Sequence, residues 1–459
     1  MTTAPLGALW PQSSLIWGRR SGTGNAFTVD SPLGHVVQSG NAIAPHELFD
    51  LANPYPQSIS PVSVADIRSL GERLGRSIPS FVEALHSETA FVLEDCEEIT
   101  FGVVEYLRTF AYQPPADFSY STRERQISLR YTNYGTVAAI LPQNAFLSMA
   151  AVTLASALAT GNRVILRAPT GSPRTLGLLS SLVEESEIPG HLVSLVFCEA
   201  EPFLDAMLNS STPMLIHYMG SSNRAGTVLT KCFEAGKSSL VDGSGNCQVY
   251  VHADQDPIEA ADLVWKGAIR YNGQTCTSVN GIVVHPDIAE AFADALIERA
   301  LATEFGTDNG NVGPLFSSRQ ALQLEEVVQS SGGEVFRNGK LVGNRFPPTV
   351  ILAPDPTSDL VTLGAFGPVA WLVAGDLADF RRAWSLNRYP LCAGIFAADS
   401  EVLGEFAGLE SGARLVLNGD PSLEDANEPW GGYAPCGSNP VSDWPSKYCR
   451  KVQLDQPLS

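Results

Sequence analysis

Apolar residues return every three or four positions from Val64 through Ile67, Leu70, Leu74 and Ile78 to Phe81, Val82 and Leu85, so Val62 to Asp95 reads as helical. Ser63 stands where an N-cap belongs. Ahead of it, residues 1–60 are rich in Pro, Gly and Ser and read as an irregular lead-in. Glu124 to Tyr131 (E-R-Q-I-S-L-R-Y) changes to strict alternation, the pattern of a strand with one wet face. Its charges place it in an exposed hairpin arm over 116–135.

From Gly135 the rhythm becomes strand, helix, strand, helix. Gly135–Leu141 is an apolar strand, Leu147 to Thr160 a helix of small residues, and Gly161-Asn162 its C-terminal stop. Arg163–Arg167 is the next strand and Arg174 to Glu185 the next helix. Leu192–Phe197, Met214–Met219, Gln248–His252 and Val279–His285 follow as short buried strands. Pro257 to Ile269 and Ile288 to Thr303 are helices, and similar signals continue to about Asp399. This order predicts an α/β fold with parallel sheets and crossover helices. Ligands of such sheets sit beyond the strand C-termini. P-Q-N-A-F (Pro142–Phe146) and A-P-T-G-S-P (Ala168–Pro173) lie at such ends. The strand Met214–Met219 runs through Gly220 and Ser221 into a helix, a geometry in which free amides suit a phosphate. The last segment, Pro429 to Ser459, ends in an alternating C-R-K-V-Q-L tail that reads as an arm in search of a sheet edge, hence an oligomer.

Composition narrows the classes. The formal net charge is -20 over 459 residues, which disfavours nucleic acid and anionic membrane as partners. No apolar run approaches the ~18–20 residues of a membrane span. The opening M-T-T-A-P-L-G-A-L-W lacks the basic-then-apolar order of a signal peptide. The 8 cysteines are scattered without CxxC or a nearby His, so neither a zinc site nor a disulfide framework is expected, and a reducing, cytoplasmic setting fits. One of them, Cys276, differs from the rest. It sits in Y-N-G-Q-T-C-T-S-V-N (Tyr271–Asn280), among small polar residues that make no hydrophobic nest. A buried filler and a presented nucleophile are the two readings.

The chain resembles the aldehyde dehydrogenase superfamily from Tyr131 to Gly437. P-Q-N-A-F is similar to the family's P-W-N-F turn, R-A-P-T-G-S-P to its K-P-x-E-x-[ST]-P turn and M-G-S-S-N-R-A-G to its T-G-S-x-x-x-G turn. Y-N-G-Q-T-C is similar to the F-x-x-x-G-Q-x-C nucleophile loop, A-F-G-P-V (Ala365–Val369) to E-I-F-G-P-V, and P-W-G-G (Pro429–Gly432) to P-F-G-G. They occur in the family's order. The resemblance implies an aldehyde dehydrogenase-like fold. Residues 1–241 would form a nicotinamide cofactor domain, 242–428 a catalytic domain and 429–459 an oligomerisation arm, giving a homodimer or homotetramer. It implies Cys276 as nucleophile, the Asn144 side chain and the Cys276 N–H as oxyanion donors, and Leu141, Pro142, Gln143, Arg167, Pro169, Thr170, Gly220, Ser221 and Phe366 as cofactor contacts. No metal is implied. The cycle is attack of the thiolate on an aldehyde, hydride transfer to NAD or NADP, and release of the acyl group from a thioester.

Three departures bear on that cycle. Hydrolytic members carry E-L-G-G-K-x-P. The matching stretch is V-D-G-S-G-N-C (Val241–Cys247), which puts Val241 where a water-activating Glu belongs. Asp242 is adjacent and expected to face the other way. Water is then a poor acceptor, and coenzyme A as acyl donor or acceptor, with an acyl thioester as substrate, is the expected variant. Gly364 stands where the family's Glu binds the nicotinamide ribose. Thr170 replaces the Glu of NAD-preferring members and, with Arg167 as a phosphate fork, leans toward NADP, although Arg167 serves equally as a ribose ligand for NAD. A non-catalytic binding or scaffold protein on the same fold is the alternative. A cysteine hydrolase lacks a recognisable His partner, and His217 and His252 read as structural.

Overall fold

The structure is a computed structural model that describes residues 14–54, 59–307, 310–409 and 412–457. The N-terminal stretch read for a signal peptide lies outside them.

Two seven-stranded sheets carry the molecule. In the first, Ser238–Asp242, Met214–Met219, Thr136–Ile140, Arg163–Ala168 and Val193–Phe197 run parallel in that order. Every residue of Thr136–Ile140 and Arg163–Ala168 is buried, as expected where helices cover both faces of a parallel sheet. The helix Phe146–Ala159 is apolar nearly all round and correspondingly enclosed. In the second sheet, Thr349–Leu352, Val369–Ala374, Val279–Val284, Cys247–Val251, Cys392–Phe396 and Arg414–Leu417 are parallel neighbours, with Glu334–Arg337 antiparallel on the edge.

The two sheets meet end to end. Asp242 closes a strand of the first, and after Gly243–Asn246 Cys247 opens a strand of the second. The C-terminal ends of the first sheet therefore confront the N-terminal ends of the second, and the ligand-binding edge of one faces the start of Val279–Val284 in the other, just past Cys276.

Three sequence expectations need correction. Residues 1–60 are not an irregular lead-in where described. Ser14–Ile16 and Arg19–Ser21 add two antiparallel strands to the first sheet beside Val193–Phe197. Ala26–Asp30 pairs with Val36–Asn41, and Pro45–Ala52 is a helix. These elements are too short for periodicity to reveal them. The helical pattern over Val62–Asp95 resolves into Val64–Gly75, Ile78–Thr89 and the start of Leu93–Thr109, because Pro79 opens a new first turn and Ala90 turns left-handed at φ 55°. Ser63 does cap the first of them, accepting from the Asp66 amide. Finally, the C-terminal tail finds its edge within its own chain. Cys449–Pro457 pairs antiparallel with Arg125–Asn133, and Phe118–Ser121 lies on the other side of that strand.

Among the described residues no helix is long and apolar enough to cross a membrane, and no group of three or more His, Cys, Asp or Glu could hold a metal ion.

Candidate active site

The loop that delivers Cys276 is conformationally strained. Tyr271, Asn272 and Gly273 are consecutive left-handed residues at φ 53°, 57° and 66°. For the two non-glycines this costs on the order of 1–3 kcal/mol each and persists only where the surroundings impose it. The brace is visible. The Tyr271 amide donates to Asp95 Oδ2 at 2.9 Å and its hydroxyl to Glu98 Oε1 at 2.9 Å. Asn272 Nδ2 donates to the Ala90 carbonyl at 3.1 Å, and its Oδ1 accepts from the Gly313 amide at 2.7 Å. Gly273 must be glycine, since a Cβ would sit 2.3 Å from the Gly367 carbonyl. The loop thus presents Cys276 half-buried, whereas Cys96, Cys198, Cys232, Cys247, Cys392 and Cys436 are buried.

The same segment that braces this loop also fixes the turn at Pro142. Gln143 Nε2 donates to the Glu88 carbonyl at 3.0 Å, two residues before the Ala90 carbonyl that holds Asn272. Gln143 in turn lies over Gly171, where a Cβ would come within 2.2 Å of its amide nitrogen. Leu141 is buried and its amide bonds the Arg167 carbonyl at 3.2 Å. The turns carrying Asn144 and Thr170 and the cysteine loop are therefore tied through Glu88–Asp95. Asn144 is half-buried, and its side-chain amide makes no hydrogen bond among the described residues. Pro142 is half-buried, Pro169 buried and Thr170 exposed.

On the far side, the Gly243–Asn246 link packs against both ends of the cleft. Gly245 lies so close to the Cys276 carbonyl that a Cβ would fall 2.1 Å from its oxygen. Ser244 bonds Ser222 in both directions, amide to hydroxyl, at 2.8 and 3.2 Å. Ser222 opens the helix Ser222–Glu234, which Ser221 caps through the Asn223 amide. Gly220 precedes it, half-buried, with Tyr218 against it. Exposed Ser221 and Arg224 at that helix start form a donor set matched to an anion. The helix Pro173–Glu184 offers no such site, because Glu88 already bonds its Arg174 and Thr175 amides.

Arg167 departs from expectation. It is buried at 6% exposure and its Nε donates to the Cys198 carbonyl at 2.8 Å. An arginine at the end of its strand points across to the neighbouring strand end, so it does not offer the open phosphate fork read from the sequence. Phe366 is exposed, with its carbonyl accepting from Gln320 Nε2 at 3.3 Å. Gly364 has φ 81°, and a Cβ there would lie 2.6 Å from Asn280 Oδ1 and 2.8 Å from Asn246. Asn280 grips Ala365 through both its backbone groups. The missing glutamate is thus excluded by the backbone and by its neighbours.

The electrostatics separate two carboxylates near the thiol. Burial raises Cys276 well above the ordinary thiol value, and the charges of Glu424 and Asp242 raise it further, so the thiol is held protonated. Val241 is fully buried. Asp242 takes His217 Nε2 at 2.6 Å, Trp430 Nε1 at 3.2 Å and Asn439 Nδ2 at 2.9 Å. Burial alone would raise its carboxyl, but these hydrogen bonds and the Lys447 charge prevail and hold it below the usual carboxylate range. His217 Nδ1 lies 3.1 Å from the Tyr448 hydroxyl, so His217 belongs to this tie between the first sheet and the C-terminal segment. Glu424 is the opposite case. It is exposed to solvent, on a loop that Arg414 pins through the Pro421 and Leu423 carbonyls at 2.7 and 2.6 Å. Sequence reasoning missed Glu424, since it stands in the aperiodic loop D-P-S-L-E-D-A-N-E ahead of P-W-G-G.

Comparison with known proteins gives a consistent placement. The model of the aldehyde dehydrogenase family matches residues 67–447. The α-ketoglutarate semialdehyde dehydrogenase of Haloferax volcanii is 26% identical over 315 residues, covering 65% of this chain and 64% of its own length. The lactaldehyde dehydrogenase of Methanocaldococcus jannaschii is 29% identical over 325 residues, covering 68% of this chain and 69% of its own. Among solved structures, an oxidoreductase from Marinobacter aquaeolei superposes with a TM-score of 0.89 at 20% identity over 99% of this chain and 100% of that one. A mutant betaine aldehyde dehydrogenase from Staphylococcus aureus, in its apo form, gives 0.90 at 19%, over 98% and 96%. At these identities the structures speak for the fold.

Proposed function

The chain belongs to the aldehyde dehydrogenase family, and from that premise we propose that it is a nicotinamide-dependent oxidoreductase that oxidises an aldehyde through a thioester on Cys276. The observation that carries the proposal is the braced left-handed turn that holds this cysteine half-open at the junction of the two sheets. A site that holds several kcal/mol of backbone strain behind one side chain is built to present it.

In this reading the Cys276 thiol loses its proton to solvent water as the sulfur adds to the aldehyde carbonyl, and the Asn144 amide and the Cys276 N–H donate to the oxyanion that forms. Ser221, Arg224 and the groove from Leu141 to Gln143 hold the cofactor, with Pro169, Thr170, Gly220 and Phe366 around it. The bound cofactor supplies the hydride acceptor. Residues 1–241 are assigned to its binding, 242–428 to catalysis and 429–459 to the arm that completes the third sheet. Phe118 and Tyr120, exposed on the outer strand of that sheet, are the surface assigned to self-association. Reaction in reverse from an acyl thioester, with coenzyme A as the acyl carrier, is a second reading, and Val241 in place of a carboxylate favours it. The test is to quench the enzyme during turnover of a short aliphatic aldehyde with NAD+ or NADP+ and map it by mass spectrometry. An acyl group on the Cys276 peptide is expected. Reduced cofactor with no acylated Cys276 removes the reading.

Thr170 supports NADP at least equal to NAD, because no carboxylate repels a 2′-phosphate there. Thr170→Glu should weaken NADP relative to NAD about tenfold, or ~1.4 kcal/mol, in titrations followed by cofactor fluorescence. An unchanged ratio would place the 2′-phosphate elsewhere.

A further inference from the structure

We infer that Ser244 sets how tightly the cofactor is held, because its hydroxyl occupies the Ser222 amide that an arriving phosphate needs. The inference rests on the reading that the start of the helix Ser222–Glu234 receives the phosphates of a nicotinamide cofactor.

A helix start holds an anion with its leading free amides. Here those amides are engaged. The Ser222 amide donates to Ser244 Oγ at 3.2 Å and the Asn223 amide to Ser221 Oγ at 3.3 Å. The Arg224 amide donates to the Ser221 carbonyl at 3.1 Å, and the Gly220 amide to the Asp242 carbonyl at 2.9 Å. These four acceptors are not equally replaceable. Ser221 serves Asn223 and Arg224 from within the same turn. The Asp242 carbonyl continues the pairing of Met214–Met219 with Ser238–Asp242. Of the four, only Ser244 reaches in from another segment with a side chain.

Its departure leaves the frame standing. Ser222 Oγ accepts from the Ser244 amide at 2.8 Å and donates to the Pro435 carbonyl at 3.2 Å. The Gly243 amide donates to the Cys436 carbonyl at 2.6 Å. These bonds keep Gly243–Asn246 in place while the Ser244 side chain turns about its Cα–Cβ bond, so the exchange is a rotamer step. Ser222 and Ser244 are both half-buried. The released hydroxyl therefore meets water, and the Ser222 amide turns to the phosphate beside exposed Ser221 and Arg224.

The hydrolytic motif E-L-G-G-K-x-P has glycine where V-D-G-S-G-N-C has Ser244, so the competing hydroxyl belongs to this chain and not to that motif. A hydrogen bond surrendered on binding lowers net affinity. The difference falls mainly on the rate of release, and release is a step that limits turnover in many enzymes.

Ser244→Ala removes the competitor, and Ser244→Thr keeps a hydroxyl. The probes are NADP+, NAD+, ADP and adenosine, titrated by quenching of protein fluorescence, with release followed by stopped flow. Ser244→Ala should bind NADP+, NAD+ and ADP roughly 3- to 10-fold more tightly than the native protein, the scale of one hydrogen bond, and release them more slowly. Adenosine carries no phosphate and should bind both proteins alike. Ser244→Thr should behave as native. Weaker or unchanged ADP binding by Ser244→Ala overturns the inference, since a serine that only braces the link predicts that sign. A gain shared by adenosine overturns it too, as does a Thr variant that matches Ala. A native protein that binds neither NADP+ nor NAD+ overturns the cofactor reading instead, and this inference with it. Thermal melting of the unliganded proteins controls for folding, and Ser244→Gly, expected to show the same gain, stands in if the Ala variant does not fold.

Discussion

Cys276→Ser should lower aldehyde turnover by at least about 10³-fold while the protein unfolds at nearly the native temperature. Serine keeps the shape of the side chain, so the braced turn at Tyr271–Gly273 loses nothing. Its hydroxyl is far less acidic than a thiol in the same surroundings, and the leaving alkoxide of an ester is worse than a thiolate. Losing the nucleophile of a covalent mechanism is felt on this scale or above it. Steady-state rates beside a thermal melt check both halves. A variant with a few per cent of native activity would take Cys276 out of the mechanism and favour the scaffold reading of the fold.

Asn144→Ala should cost about 10²–10³ in turnover, the usual loss for one oxyanion donor. Its effect on stability should be small, because the amide makes no hydrogen bond among the described residues and truncation leaves no buried partner unpaired. The loss should fall on kcat with KM little changed, since the oxyanion exists only after attack. A large drop in melting temperature with unchanged kcat would make Asn144 a turn former and nothing more.

These expectations rest on features of unequal legibility. The α/β class, the order of buried strands and the turns at Pro142, Ala168 and Gly220 were readable, because buried parallel strands and their glycine-rich ends leave local signals. The short strands Ser14–Ile16 and Arg19–Ser21 were not, since their pairing beside Val193–Phe197 is decided by a neighbour far along the chain. The alternating tail was read as a strand, and only the fold supplied its partner, Arg125–Asn133.

At the site the division is the same. The polar neighbours of Cys276 singled it out in the sequence, and the resemblance to the aldehyde dehydrogenases read Val241 as a missing base and Gly364 as a missing ligand, since each is a statement about one position in a motif. Only the tertiary structure could say that Arg167 is committed to the Cys198 carbonyl and that a side chain at Gly364 would strike Asn280. Periodicity and turn chemistry act over a few residues and are written in local sequence. The charge, burial and open space at a side chain depend on what the rest of the chain packs against it.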